Sequence, residues 1–114
     1  MDKAISLRMR LLQLFLLILA ALLAAGSAKA QGTGEKLYKA KCASCHGADG
    51  TGTTPAGKAT TARDFCSEEV TKESDDEWTQ IIVKGKNKMP AYDKKLSEAE
   101  IKDVVAYIRT LCKK

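Results

Sequence analysis

The chain begins with a long apolar run behind a short basic segment. Residues 11–25 are apolar except for Gln13, and residues 28–30 (Ala-Lys-Ala) have the small-x-small pattern that signal peptidases cut. This order predicts a secretory signal at residues 1–30, cleaved after residue 30. The alternative is an uncleaved membrane anchor, but the apolar run is shorter than the ~20 residues that span a bilayer as a helix.

Residues 31–114 show helical periodicity and no convincing alternating pattern of the kind that strands need. A first helix is expected at residues 34–45. A second is expected at residues 75–84, where Ser74 and Glu77 have the spacing of a capping box at the N-terminal end.

The last helix has the clearest pattern. Ser97 and Glu100 match another capping box, and apolar side chains then recur at helical spacing on one face. These are Ile101, Val104, Val105, Ile108 and Cys112. A short helical turn is expected near residues 68–72, and an irregular loop at residues 47–61, which are rich in Gly, Thr, Ala and Pro. The predicted fold class is all-α.

Composition and charge narrow the range of functions. The 114 residues carry a formal net charge of +5, but segment 1–30 contributes three of those charges, so residues 31–114 carry only +2. Nucleic-acid binding has little support, because it needs a large clustered excess of Lys and Arg. A domain this small often needs a cofactor, a metal or a disulfide for stability. All four cysteines follow residue 30, and disulfides form in exported chains.

The strongest chemical signal is the motif Cys42-Ala-Ser-Cys45-His46. Each cysteine can form a thioether to a vinyl group of a haem, and the adjacent histidine is then directed at the iron. A thioredoxin-like redox pair is expected near a βαβ pattern, which is absent. A zinc site would need Cys66 and Cys112, which do not form a second short-spaced motif. The motif therefore favours one haem c bound covalently by Cys42 and Cys45, with His46 as an axial iron ligand.

The second axial ligand is argued by elimination. His46 is the only histidine, and Met89 is the only methionine after residue 30. A lone methionine is more often a core gap-filler, but beside a haem motif we expect Met89 to ligate the iron. Such ligation leaves no place for substrate, so we expect a single-electron carrier and not an enzyme. A haem peroxidase or ligand sensor with an open sixth position is the alternative, and a non-haem metal-binding module is a weaker one.

These residues together resemble the small bacterial class I c-type cytochromes over nearly all of residues 31–114. The matching features are Gly34, Tyr38, the Cys-x-x-Cys-His motif, Pro55, residues 89–92 (Met-Pro-Ala-Tyr) and Tyr107. The resemblance implies a cytochrome c-like fold, with three to four helices around one haem. It implies that the first and last helices cross with Gly34 facing Tyr107. It also implies that the carbonyl group of Pro55 accepts a hydrogen bond from the proximal imidazole.

The second pair of cysteines departs from the commonest family pattern. Cys66 and Cys112 remain after the haem motif is assigned, and the chain is expected to be exported, so we expect a disulfide between them. Two buried free thiols are the alternative. Trp78 could donate its indole N–H to a haem propionate, although core packing explains this residue equally well.

The expected setting is the bacterial periplasm or another extracytoplasmic space. There a monomer without a membrane span would exchange electrons with respiratory or other redox proteins. Five lysines surround the expected methionine loop: Lys84, Lys86, Lys88, Lys94 and Lys95. A solvated surface is the ordinary explanation for them, and the functional hypothesis is that they steer the haem edge towards an acidic partner.

Overall fold

The computed structural model describes residues 1–113, without the side chains of residues 25–31. The regular secondary structure of the described residues is helical, apart from one isolated antiparallel bridge between Lys86 and Met89. In chain order the helices are α1 (Asp2–Lys41), α2 (Ala43–His46), α3 (Pro55–Thr60), α4 (Glu68–Thr71), α5 (Asp75–Lys84) and α6 (Glu98–Leu111). The chain divides into two compact units, Met1–Ala30 and Gln31–Lys114. The boundary lies at the expected cleavage position, and the cleavage itself stays a prediction.

The N-terminal unit is an apolar helix with exposed side chains. Asp2–Ala24 is 23 residues long and contains an 18-residue stretch with a mean hydropathy of 2.0, so it is long and apolar enough to cross a membrane. Signal sequences also pass this test, so length does not separate a signal from an anchor. The interpretation of this segment as a cleaved signal or as an anchor therefore stays a prediction.

The first helix differs from its predicted bounds at both ends. It begins at Asp2 and ends at Lys41 instead of covering residues 34–45. The chain turns at Cys42, and a separate helical turn, α2, carries the rest of the cysteine motif. The amide of Cys42 still donates to the carbonyl of Tyr38 at 2.9 Å, so α1 leads directly into that turn.

The later helices match their predictions closely. α5 has the predicted bounds, and both capping boxes are confirmed. The hydroxyl of Ser74 accepts from the amide of Glu77, and the carboxylate of Glu77 accepts from the amide of Ser74. Ser97 and Glu100 make the same two bonds at the start of α6. These bonds satisfy amide groups that otherwise lack partners in the first turn of a helix.

The predicted irregular loop at residues 47–61 contains a helix, α3. The hydroxyl of Thr54 accepts from the amide of Gly57 at 2.9 Å, and Pro55 occupies the first helical position, where its missing N–H costs nothing. The prediction of a wholly irregular loop is therefore wrong. Thr54 and Pro55 are a local signal for the start of a helix. The high Gly and Thr content of the surrounding residues concealed this signal in the sequence.

The core of the C-terminal unit is formed by residues from α1, α4, α5 and α6 together with Leu96. Its buried apolar side chains are Tyr38, Val70, Trp78, Ile82, Leu96, Ile101, Val104, Val105 and Ile108. α1 and α6 cross at Gly34, where a Cβ atom would overlap the carbonyl group of Asp103 and lie 3.1 Å from the Cβ of Tyr107. The predicted contact between Gly34 and Tyr107 is confirmed.

The expected disulfide is also present. Cys66, just before α4, is bonded to Cys112 at the end of α6, and the Cα atoms lie 5.2 Å apart. The bond joins positions separated by 46 residues, so it restricts the unfolded chain strongly.

Candidate haem-binding site

The cysteine motif forms one helical turn at the end of α1. The amide of His46 donates to the carbonyl of Cys42 at 2.9 Å, which closes the turn. Cys42 and Cys45 are free, partly buried thiols. Residues three apart on a helical turn share a face. The turn therefore presents two thiols beside one another, with His46 directly after them.

The surroundings of the two thiols do not favour a zinc site. The part of the chain that the structure describes holds no group of three or more His, Cys, Asp or Glu side chains that could bind a metal ion. Cys66 and Cys112 are bonded to each other, so they are not thiolate ligands for zinc. Burial raises the pKa of the Cys42 thiol to about 11, with nearby Lys41 acting in the opposite direction. Cys42 is therefore a neutral thiol at neutral pH.

The imidazole of His46 is held in place by Phe65 and has one unpaired nitrogen. The two rings stack with centroids 4.4 Å apart and planes at 20°. Nδ1 is buried and has no hydrogen-bond partner. Burial lowers the pKa of His46, while the backbone of Arg63 lies near enough to raise it in part. The neutral imidazole that results is the form that ligates a metal.

The hydrogen bond expected between His46 and the carbonyl of Pro55 is not formed. Pro55 is exposed as the first residue of α3, because the capping of Thr54 turns the chain into that helix. The structure gives the buried Nδ1 no hydrogen-bond partner, and the ring that packs against the imidazole is that of Phe65. Sequence reasoning missed Phe65, and the aromatic residue beside Cys66 was the one available signal.

Met89 lies in a tight turn after α5. Its backbone pairs with Lys86 through two hydrogen bonds, 3.1 and 2.9 Å long. Gly85 precedes the turn with φ at +72°, and a Cβ there would lie 2.7 Å from the carbonyl oxygen of Met89, so the turn requires glycine. The side chain of Met89 is partly buried against the core.

The methionine turn lies beside the cysteine motif. Tyr92, three residues after Met89, donates its hydroxyl to the carbonyl of Lys41 at 3.1 Å. Burial raises the pKa of Tyr92, with smaller contributions from Cys42 and Cys45. The segments that carry the two expected iron ligands are therefore neighbours in the folded chain.

The indole of Trp78 has a protein partner in this structure, and its contact with a propionate stays a prediction. Its indole N–H donates to the carboxylate of Glu73 at 3.1 Å, and the side chain is only 5% exposed. The guanidinium of Arg109 lies over the ring, 3.7 Å from its centroid. These contacts account for Trp78 as a core residue.

These residues fit a covalently bound haem. Two thiols lie one helical turn apart, the adjacent imidazole is neutral with a free buried nitrogen, and a methionine turn packs beside them. Haem c supplies a one-electron redox centre when it is bound. An all-α fold around this motif defines a small class I c-type cytochrome.

The comparisons with known proteins agree with this class. Residues 29–108 match the family described as cytochrome C oxidase, cbb3-type, subunit III. The chain is 32% identical over 94 residues to a cytochrome c6-like protein of Nostoc sp. (strain PCC 7120 / SAG 25.82 / UTEX 2576), covering 82% of each. It is 37% identical over 75 residues to cytochrome c6 of Synechococcus sp. (strain ATCC 27167 / PCC 6312), covering 66% of this chain and 64% of that protein.

A solved structure is also similar. The KustC0563 c-type cytochrome superposes with a TM-score of 0.64 at 35% identity, covering 68% of this chain and 95% of that one. The chain belongs to the c-type cytochrome family. It carries covalently attached haem c and is an electron carrier.

Proposed function

We propose that the mature protein is a soluble periplasmic monomer whose haem iron is ligated by His46 and Met89. It passes single electrons between respiratory or other periplasmic redox proteins. The observation that carries this proposal is the position of the methionine turn, since Tyr92 ties it to Lys41, the residue before the first motif cysteine.

The pair of ligands suits electron transfer and not substrate chemistry. An imidazole and a thioether fill both axial positions, and the thioether raises the reduction potential by favouring the ferrous state. The methionine turn is already closed by backbone hydrogen bonds between Lys86 and Met89. Lys88 also donates to the carbonyl of Ala59 in α3 at 2.9 Å. A turn that is ordered beforehand places its ligand with little loss of conformational entropy.

The visible spectrum of protein matured with haem-attachment machinery tests this ligation. We expect sharp α and β bands in the reduced form and a weak far-red charge-transfer band in the oxidised form. Met89→Leu retains the apolar volume but removes the sulfur, so this variant should lose the far-red band and bind carbon monoxide. A native protein that binds carbon monoxide, or lacks the far-red band, would instead support the peroxidase or sensor alternative.

The partner that we propose is an acidic redox protein. Lys84, Lys86, Lys88, Lys94 and Lys95 lie on the surface around the methionine turn. Among the described residues, none of these five lysines forms an ion pair with a carboxylate. Their charges are therefore open to an approaching partner, and such encounters are accelerated by complementary charge.

We also propose that residues 1–30 are removed on export. Mass spectrometry of protein recovered from the periplasm should give a chain beginning at Gln31 or within a few residues of it. A full-length chain in the membrane fraction would support the anchor instead.

A further inference from the structure

The imidazole of His46 lies flat against the aromatic ring of Phe65. The centroids of the two rings are 4.4 Å apart, and their planes are inclined by only 20°. Nearly parallel rings at this distance form a stacked pair. Rotation of the imidazole about its Cβ–Cγ bond would drive one edge of it into the Phe65 ring. The stack therefore restricts the orientation of the imidazole plane.

The ring of Phe65 packs in turn against Trp78, with centroids 5.6 Å apart. Trp78 is only 5% exposed, and its indole N–H donates to the carboxylate of Glu73 at 3.1 Å. The guanidinium of Arg109 covers the indole, 3.7 Å from its centroid, and donates to Asp75 at 2.8 Å. Because the indole is buried, hydrogen-bonded and covered, it limits movement of the Phe65 ring away from the imidazole.

The backbone of Phe65 is fixed as well. Its amide donates to the carbonyl of Gly50 at 2.8 Å, and the next residue, Cys66, is bonded to Cys112 at the end of α6. A Cβ atom at Gly50 would lie 3.2 Å from Cδ2 of the Phe65 ring, so the chain passes close to the ring at this point. Both the ring and the backbone of Phe65 are thus held by residues outside the cysteine motif.

We propose that Phe65 is a positioning residue that fixes the plane of the His46 imidazole. The orientation of an axial imidazole decides which iron orbital holds the unpaired electron of the low-spin ferric state. An imidazole that keeps one orientation in both oxidation states adds little rearrangement to electron transfer, in the same way that other preorganised groups lower a barrier. This inference rests on the proposed ligation of iron by His46.

The test is Phe65→Leu in the haem-containing protein. Leucine is apolar but has no planar face, so the imidazole is free to adopt more than one orientation. Proton NMR of the ferric form measures this directly, because a fixed imidazole plane spreads the resonances of the haem ring methyl groups. We expect the spread to shrink and the order of the resonances to change. The rate of electron self-exchange should fall severalfold.

Two controls separate positioning from a loss of stability. Phe65→Tyr retains the aromatic ring, so its methyl resonances and exchange rate should match those of the unmodified protein. Ile101→Val reduces the volume of a core side chain that is only 1% exposed, so it lowers stability without removing the ring that faces the imidazole. Its methyl resonances should stay unchanged. The same altered pattern in Phe65→Leu and Ile101→Val would show that Phe65 has only a general structural role and would overturn the inference.

Phe65→Met gives a second route in case Phe65→Leu does not fold. Its flexible side chain fills similar space without a planar ring, so the methyl resonances should change as they do with leucine. An unchanged pattern and an unchanged exchange rate in either folded variant would contradict the positioning role. Failure of the proposed ligation would be seen separately, as a high-spin ferric spectrum of the unmodified protein.

Discussion

The backbone of Gly34 lies against the carbonyl group of Asp103, with no room for a side chain between α1 and α6. Beside this contact the rings of Tyr38 and Tyr107 pack with centroids 5.4 Å apart. The cysteine motif begins at the end of α1, so this crossing determines where the motif lies relative to the last helix.

Adding one methyl group at this crossing should destabilise the protein. Gly34→Ala forces the two helices apart, and overpacking of this kind costs about 1–3 kcal/mol. Gly32→Ala is the control, because nothing lies within 4 Å of a Cβ at that position on the same helix. It should be neutral or slightly stabilising. Denaturant unfolding followed by circular dichroism measures both, and equal effects would show that the contact is unimportant.

Removal of the disulfide should lower stability without removing the haem. Replacing Cys66 and Cys112 together by serine removes a restriction on a 46-residue loop, which is worth up to about 4 kcal/mol. The melting temperature of the haem-containing variant should fall accordingly. In the unmodified protein, thiol titration after unfolding without reductant should find no free thiol. Two reactive thiols would contradict the disulfide.

Stability should fall at alkaline pH because of Tyr38. Burial is the main cause that raises the pKa of its phenol, and the hydroxyl donates to the carbonyl of Gly47 at 2.6 Å. A raised pKa means that the folded state holds the proton more tightly than the unfolded state. The contribution of the protonated Tyr38 phenol to the free energy of unfolding is therefore complete below the ordinary tyrosine pKa of about 10. It decreases as the pH rises above that value.

Tyr38→Phe tests this pH dependence. At neutral pH the free energy of unfolding of the variant should be lower by about 1 kcal/mol, because the hydrogen bond to Gly47 is removed. It should then show a shallower decline in unfolding free energy above pH 10 than the unmodified protein. Parallel curves for the two proteins would show that another group controls the alkaline decline.

The lysines around the methionine turn should control the rate of oxidation by ferricyanide, a small anion. If they frame the exposed haem edge, the rate should fall as salt rises. Replacing Lys86 and Lys94 by glutamate should slow it roughly tenfold at low salt. The control replaces Lys36 and Lys113 by glutamate, which makes the same change in net charge away from the methionine turn. Equal slowing in the two double variants would indicate a net-charge effect without a local docking surface.

The sequence alone was sufficient for features that depend on nearby residues. The capping boxes at Ser74 and Ser97 connect residues three apart, so their spacing predicted the starts of α5 and α6. The Cys-x-x-Cys-His motif is likewise a single turn, and its chemistry can be recognised without the fold. The small residue at Gly34 also indicated the close crossing, although only through resemblance to a family.

The tertiary structure decided which residue packs against the imidazole of His46. Pro55 and Phe65 both follow His46 in the sequence, and nothing in their spacing shows which of them meets the ring. The ring of Phe65 stacks on the imidazole because the Arg63–Glu73 ion pair and the disulfide bring this part of the chain back past His46. These contacts join residues distant in sequence, and their formation depends on packing of the whole domain, which local patterns do not encode.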